Sequence, residues 1–143
     1  MSKVVFPWVW DGSKPVKQAA DKGGNAFCGG MRPNDPHSAN GTATASSATW
    51  TTLISYTPSG KTFLLTDLEV REDLTYADDF LVRVMVAGGL AWGGRGKDGG
   101  SYQKTWVRPL VISDGQQLTV DVYQDTGGDR WFIGFIAGFH PDG

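Results

Sequence analysis

A single cysteine, Cys28, stands in 143 residues, so no intramolecular disulfide can form and the chain is not a disulfide scaffold. It lies among Gly23, Gly24, Gly29 and Gly30 with no neighbouring histidine to activate it, which argues against a catalytic thiol. Histidine is almost as scarce. His37 and His140 stand far apart, neither with a second ligand at metal spacing, so no structural zinc and no other metal or cofactor is expected. Neither sign of charge dominates: 13 basic and 15 acidic residues leave a formal net charge of −2, a field that does not attract phosphate backbones, and nucleic acid is not expected as a partner. No apolar run approaches the roughly 20 residues of a membrane-spanning helix. The first residues also lack the apolar segment and small-residue cleavage site of a signal peptide, so synthesis in the cytoplasm with no membrane association is expected.

What the chain has instead is glycine, 20 of them, with 7 prolines and 6 tryptophans, unevenly placed. Residues 1–45 carry Pro7, Pro15, Pro33 and Pro36, many glycines and small polar residues, and no sustained apolar periodicity. This segment reads as an extended N-terminal arm. Its apolar patch, Val4, Val5, Phe6, Trp8 and Trp10, is β-prone, but Pro7 cannot donate a ladder hydrogen bond and restricts it to a sheet edge or a foreign surface. Residues 14–22 hold the one plausible helical turn.

From residue 46 to 143 β-branched and aromatic residues alternate with polar ones in short runs punctuated by turn chemistry. Strands are expected over 49–57, 62–72, 79–87, 90–92, 102–107, 110–112, 117–124 and 131–139. The cleanest alternation puts Phe80, Val82, Val84 and Val86 on one face, taken as inward, and Leu81, Arg83, Met85 and Ala87 on the other. The last run is apolar on nearly every residue, as suits a strand covered on both faces or one meeting a neighbouring subunit. Eight such runs predict an all-β fold, an antiparallel β-sandwich of jelly-roll type behind the arm.

Enzyme-like strings occur out of context. Gly94, Gly96 and Gly99 match the spacing of a dinucleotide-binding loop, but strand-like sequence follows where a helix is required, so a flexible loop at 93–100 is expected. Gly60-Lys61-Thr62 resembles the end of a phosphate-binding loop without its first glycine and reads as a hairpin turn. Asp125-Thr126-Gly127 copies the aspartic-protease triplet within a hairpin signal. Glu69, Glu72, Asp73, Asp78 and Asp79 surround one loop, where a calcium site would lack the spaced ligands of a known calcium loop. No acid, base and nucleophile assemble into a catalytic set, so the chain is not expected to be an enzyme. Trp50, Trp106 and Trp131 fall inside strand runs and suit a core. Trp92, Arg95, Lys97, Asp98, Tyr102 and Trp106 around the glycine-rich loop offer the alternative of a carbohydrate or receptor site.

The runs 56–70 (YTPSGKTFLLTDLEV), 109–118 (PLVISDGQQL) and 134–139 (GFIAGF) resemble the β-sandwich and jelly-roll proteins of tailed-bacteriophage particles, head decoration or cement proteins above all. The resemblance covers about two thirds of the chain and is architectural. It implies a structural virion protein on the capsid surface, a dimer or trimer that binds the major capsid protein and clamps adjacent subunits. The arm residues Val4, Val5, Phe6, Trp8 and Trp10 would make the contact. The same patterns suit a binding module of a tail fibre or spike, where the residues from Trp92 to Trp106 named above would hold the ligand.

Overall fold

The computed structural model describes residues 35–72, 78–97 and 100–141, together with the backbone of 9–10 and 15–16. The chain divides into two units, Met1–Pro33 and Asn34–Gly143. In the first, β1 (Val9–Trp10) and β2 (Pro15–Val16) form a short antiparallel ladder, with Val9 opposite Val16. Pro15–Val16 is thus strand where a helical turn was expected. Val4, Val5, Phe6, Trp8 and Cys28, and the rest of 17–22, lie outside the described residues.

The described residues of the second unit form eight strands: β3 (Pro36–Ala45), β4 (Thr51–Tyr56), β5 (Phe63–Glu72), β6 (Phe80–Val86), β7 (Gly89–Gly96), β8 (Ser101–Ile112), β9 (Leu118–Tyr123) and β10 (Arg130–Phe139). They form two antiparallel four-stranded sheets, in the orders β3-β10-β5-β8 and β4-β9-β6-β7. Of the successive connections between these strands, the β6–β7 turn alone stays within one sheet; every other connection crosses to the opposite sheet. That is the path of a long hairpin rolled into a two-layer sandwich, the jelly roll. The turns at 57–62 and 124–129 are accordingly crossovers between sheets, not hairpins.

Residues 36–45, expected to belong to the arm, are instead part of the sandwich: Pro36–Ala45 is an edge strand paired with β10 along its whole length. Its period-2 pattern is real but written in small residues: Ala39, Gly41, Ala43 and Ala45 face inward, and Ser38, Asn40, Thr42 and Thr44 outward. A larger inward side chain at position 41 has no room, since a Cβ on Gly41 would sit 1.9 Å from the Leu53 carbonyl oxygen of β4. This close approach closes one side of the sandwich.

The core lies between the sheets. Phe63, Leu65, Phe80, Ile112, Leu118 and Phe132 are fully buried, each contributing about 1.5–3 kcal/mol by leaving water. Phe80 and Phe132 meet edge to face across the layers, their centroids 5.1 Å apart. The expected inward face of β6 is correct, with Phe80, Val82 and Val84 buried and Val86 packed against them. The two runs on either side of Pro109 are one strand, β8, which bulges there: Leu110 pairs with Leu65 and Thr105 with Asp67, leaving 106–109 opposite a single residue. Proline lacks the ladder donor and fits such an excursion. At the far end of β5, Glu72 forms a fully buried ion pair with Arg130.

Candidate functional site

The outer face of the β3-β10-β5-β8 sheet carries an exposed apolar stripe along β10, and farther along the sheet exposed Val111 of β8 beside Leu64 of β5. Alternation along β10 sends Phe132 and Ile136 into the core and Trp131, Ile133 and Phe135 to the opposite side. Trp131 is 43% exposed and Phe135 37%. Trp131 is therefore not the core residue its strand position suggested. The last strand is central in its sheet, and among the described residues it is covered on its inner face alone.

Polar rows flank the stripe on both sides, and the registers fix who stands where. Phe135 has Asn40 of β3 on one side and Glu69 of β5 on the other, with Gln103 of β8 beyond. Ile133 stands between Thr42 and Arg71, and Ala137 between Ser38 and Asp67. The polar groups are oriented by one another. Glu69 Oε2 accepts from Arg71 Nε at 2.6 Å and from Gln103 Nε2 at 3.1 Å, while Thr105 Oγ1 donates to Asp67 Oδ1 at 2.8 Å. The hydrogen bond from Arg71, then that from Gln103, holds the Glu69 carboxyl below its ordinary range, so it is ionised at neutral pH. Two shallow hollows border the stripe, one between Phe135, Glu69 and Thr105, the other between Trp131, Arg71 and Ser101.

The aromatic residues expected to surround a ligand loop come together, but around one another. Trp92 of β7 and Trp106 of β8 meet edge to face at 5.8 Å, Trp92 Nε1 donates to the Tyr102 hydroxyl, and Lys104 Nζ lies 4.3 Å from the Trp92 ring centre. Trp106 is 8% exposed. This cluster closes the open side of the sandwich between the edge strands β7 and β8. Arg95 turns to Asp79 at 3.6 Å and Lys97 is exposed. Asp98 lies outside the described residues. The supposed loop is strand through Gly96, and two of its glycines serve close packing: a Cβ on Gly94 would meet the Tyr102 ring and one on Gly96 the Phe80 ring.

Other motifs dissolve into local structure. Asp125-Thr126-Gly127 is a crossover turn in which the Gln124 side-chain oxygen accepts from the Thr126 backbone and hydroxyl at 2.9 and 2.6 Å. The acidic residues near 72–79 separate: Glu69 faces Arg71, Glu72 is buried with Arg130, and Asp79 faces Arg95. Trp50 is half-buried under the Arg83 guanidinium, 4.1 Å from its ring centre, and Arg83 in turn binds Asp121 at 2.8 Å.

No protein-family model matches the chain, and no curated protein shows significant similarity to it. Among solved structures it is similar to PirA, at 11% identity and a TM-score of 0.41, over 75% of this chain and 96% of that one. It is also similar to the subunit of the Bacillus endospore appendages, a family of disulfide-linked pili, at 14% identity and a TM-score of 0.44, over 80% and 97%. A third similarity is to the Gx strain structure of infectious bursal disease virus, at 8% identity and a TM-score of 0.41, over 97% of this chain and 37% of that one. Identities this low carry no site residue across.

Proposed function

We propose that the chain is a structural protein of a virion, a capsid decoration protein that binds the assembled head and acts by surface contact rather than turnover. The observation that supports this is the division of the chain into a jelly-roll body, Asn34–Gly143, and a separate unit, Met1–Pro33, which carries Val4, Val5, Phe6, Trp8 and Trp10. Apolar side chains of that kind gain about 1.5–3 kcal/mol each when a partner surface removes them from water, so such a unit is useful where it meets a broad apolar contact. Laid over adjacent major capsid subunits, it would clamp them while the sandwich sits outside. Binding to the assembled shell in preference to free subunits stabilises the shell by mass action. A dimer or trimer of the chain would multiply the attachment.

The test is cosedimentation with purified heads. The full chain is expected to cosediment with assembled heads, not with isolated capsid subunits, and to raise the temperature at which heads lose their contents. A chain lacking residues 1–33, and the double variant Trp8→Ser, Trp10→Ser, should lose most of that binding while remaining folded. Unchanged head binding by the truncated chain would overturn the reading.

A further inference from the structure

We propose that the outer face of the β3-β10-β5-β8 sheet binds a neutral oligosaccharide along the Trp131–Ile133–Phe135 stripe. The site is on the sandwich, so this does not depend on the role of residues 1–33. A pyranose presents a face of C–H groups and a rim of hydroxyls. The protein surface has the complementary arrangement: an apolar track in the middle, hydrogen-bonding groups on both sides. Trp131 and Phe135 lie four residues apart on one strand, about 13 Å at the rise of an extended chain, which suits a short linear glycan rather than one ring.

The flanking chemistry selects this occupant over a protein. The centre of a protein interface is depleted of charge, and a stable one buries about 800 Å² on each partner. Between Trp131 and Phe135 the stripe is one residue wide, with Arg71 and Glu69 beside Ile133 and Phe135 and Asp67 beside Ala137; exposed Val111 lies apart from it, toward the other end of β8. A protein partner would have to desolvate them. A glycan leaves them at the hydrated rim, where carboxylate, amide and guanidinium groups donate to and accept from hydroxyls. They are already held in place: Gln103 and Arg71 both donate to Glu69, and Thr105 donates to Asp67, so little side-chain freedom remains to be lost on binding. The two carboxylates against one guanidinium also disfavour anionic sugars. Thr42, Thr44 and Asn40 supply uncharged donors and acceptors on the other flank, all exposed.

The probe is an array of neutral hexose and N-acetylhexosamine oligosaccharides, with sialylated and uronate-containing members as anionic controls, read with the full-length chain. At least one neutral oligosaccharide is expected to bind, and Trp131→Ala and Phe135→Ala should each weaken that binding tenfold or more. Glu69→Gln should weaken it less. Leu90→Ala, exposed on the other sheet, should leave it within twofold. Melting temperatures of the variants confirm folding, since both aromatic side chains are substantially exposed. The proposal is overturned by an array without neutral binding, by neutral binding that survives both aromatic substitutions, or by a preference for the anionic members. It is equally overturned if the array is flat and Trp131→Ala instead changes the sedimentation of the protein, which would make the face a contact between protein chains. Head binding is measured separately, so either reading can fail alone.

Discussion

The phenolic oxygen of Tyr56 lies 2.8 Å from Nε2 of His140. The contact joins the end of β4 in one sheet to the residue after β10 in the other, and His37 of β3 stacks on the same phenol with ring centres 4.2 Å apart. His140 is also tied back through Asp35: its backbone N–H donates to the Asp35 carbonyl at 3.1 Å, and its Nδ1 lies 3.2 Å from the Asp35 carboxylate. With Tyr56 donating to Nε2, the proton of a neutral His140 sits on Nδ1, facing Asp35. Lys61 completes the cluster by pairing with Asp35. Two histidines about a hundred positions apart in sequence therefore meet at one end of the sandwich, their centroids 5.6 Å apart.

This cluster makes stability depend on pH. Burial, and then the neighbouring His140, holds the His37 imidazole below its ordinary 6.5. A group depressed in the folded state is protonated first in the unfolded chain, so its contribution is complete above 6.5 and is lost as pH falls toward the folded value. Asp35 and Glu69 are depressed by hydrogen bonds from Lys61 and Arg71, and their contributions are lost below their ordinary values of 3.8 and 4.5. The melting temperature should therefore decline in two stages, one starting below pH 6.5 and one below 4.5. His37→Phe, which keeps a ring against Tyr56, should remove the upper stage and spare the lower. A wild-type melting temperature that is flat from pH 7 to pH 5 would contradict this.

Arg130 and Glu72 are sealed from solvent as a pair, and Arg130 Nη2 also donates to the Asp78 carbonyl at 2.8 Å. Burial lowers the Arg130 pKa, the expected sign for a cation removed from water. Removing one partner leaves the other charge buried without compensation, which costs about 3–5 kcal/mol, whereas replacing both with apolar residues of similar volume is often neutral or better. Arg130→Met should thus be strongly destabilised, and Arg130→Met combined with Glu72→Met should recover most of the loss. Urea unfolding of the two variants measures the difference. A double variant no more stable than the single one would show that the cost lies in packing rather than charge.

The sandwich was legible wherever apolar and polar residues of contrasting size alternate, as in Phe80-Leu81-Val82-Arg83-Val84. It was illegible in Pro36–Ala45, because alanine, glycine, serine and threonine differ too little in hydropathy to mark a face. Trp131 and Phe135 were visible as residues of a strand, but a run apolar on every position does not say which parity faces the core. That is fixed by Arg130 and Phe132, whose partners come from β5 and β6. The pairing of Trp92 with Trp106 is a contact between edge strands of opposite sheets, which no local pattern encodes. The same holds for Tyr56 and His140.

Gly41 provides a test of the closed side of the sandwich. An added methyl group would overlap the Leu53 carbonyl, a backbone atom that cannot swing away as a side chain could. Leu53 lies where the β4–β9 register slips, between Thr52 and Ile54, so the strand has already departed from regular pairing there. Gly41→Ala should cost stability at or above the top of the about 1–3 kcal/mol typical of overpacking. Gly128→Ala, with nothing within 4 Å of the new methyl, should be near neutral. Thermal unfolding of the two variants side by side decides it, and equal melting temperatures would mean that β3 stands farther from β4 than described.

Two truncations separate the N-terminal unit from the sandwich. Removing residues 1–33 cuts at the division between the units and leaves every pair of the β3–β10 ladder, from Pro36 with Phe139 to Ala45 with Arg130. Removing residues 1–45 takes away β3, strips one side from β10, uncovers Phe132 and Ile136, and deletes the Asp35 and His37 contacts to His140 and Tyr56. Losing buried Ala45 and the half-buried Ala39 and Ala43 removes little apolar area by itself. The larger effect is that the inner edge of β10 loses its ladder partner and the buried Gln124 side chain loses the Ala45 carbonyl to which it donates at 2.8 Å. The shorter truncation should therefore unfold cooperatively within a few degrees of the full chain, while the longer should lose its near-ultraviolet dichroism and aggregate through the exposed edge of β10. A well-folded chain beginning at residue 46 would place β3 outside the cooperative unit.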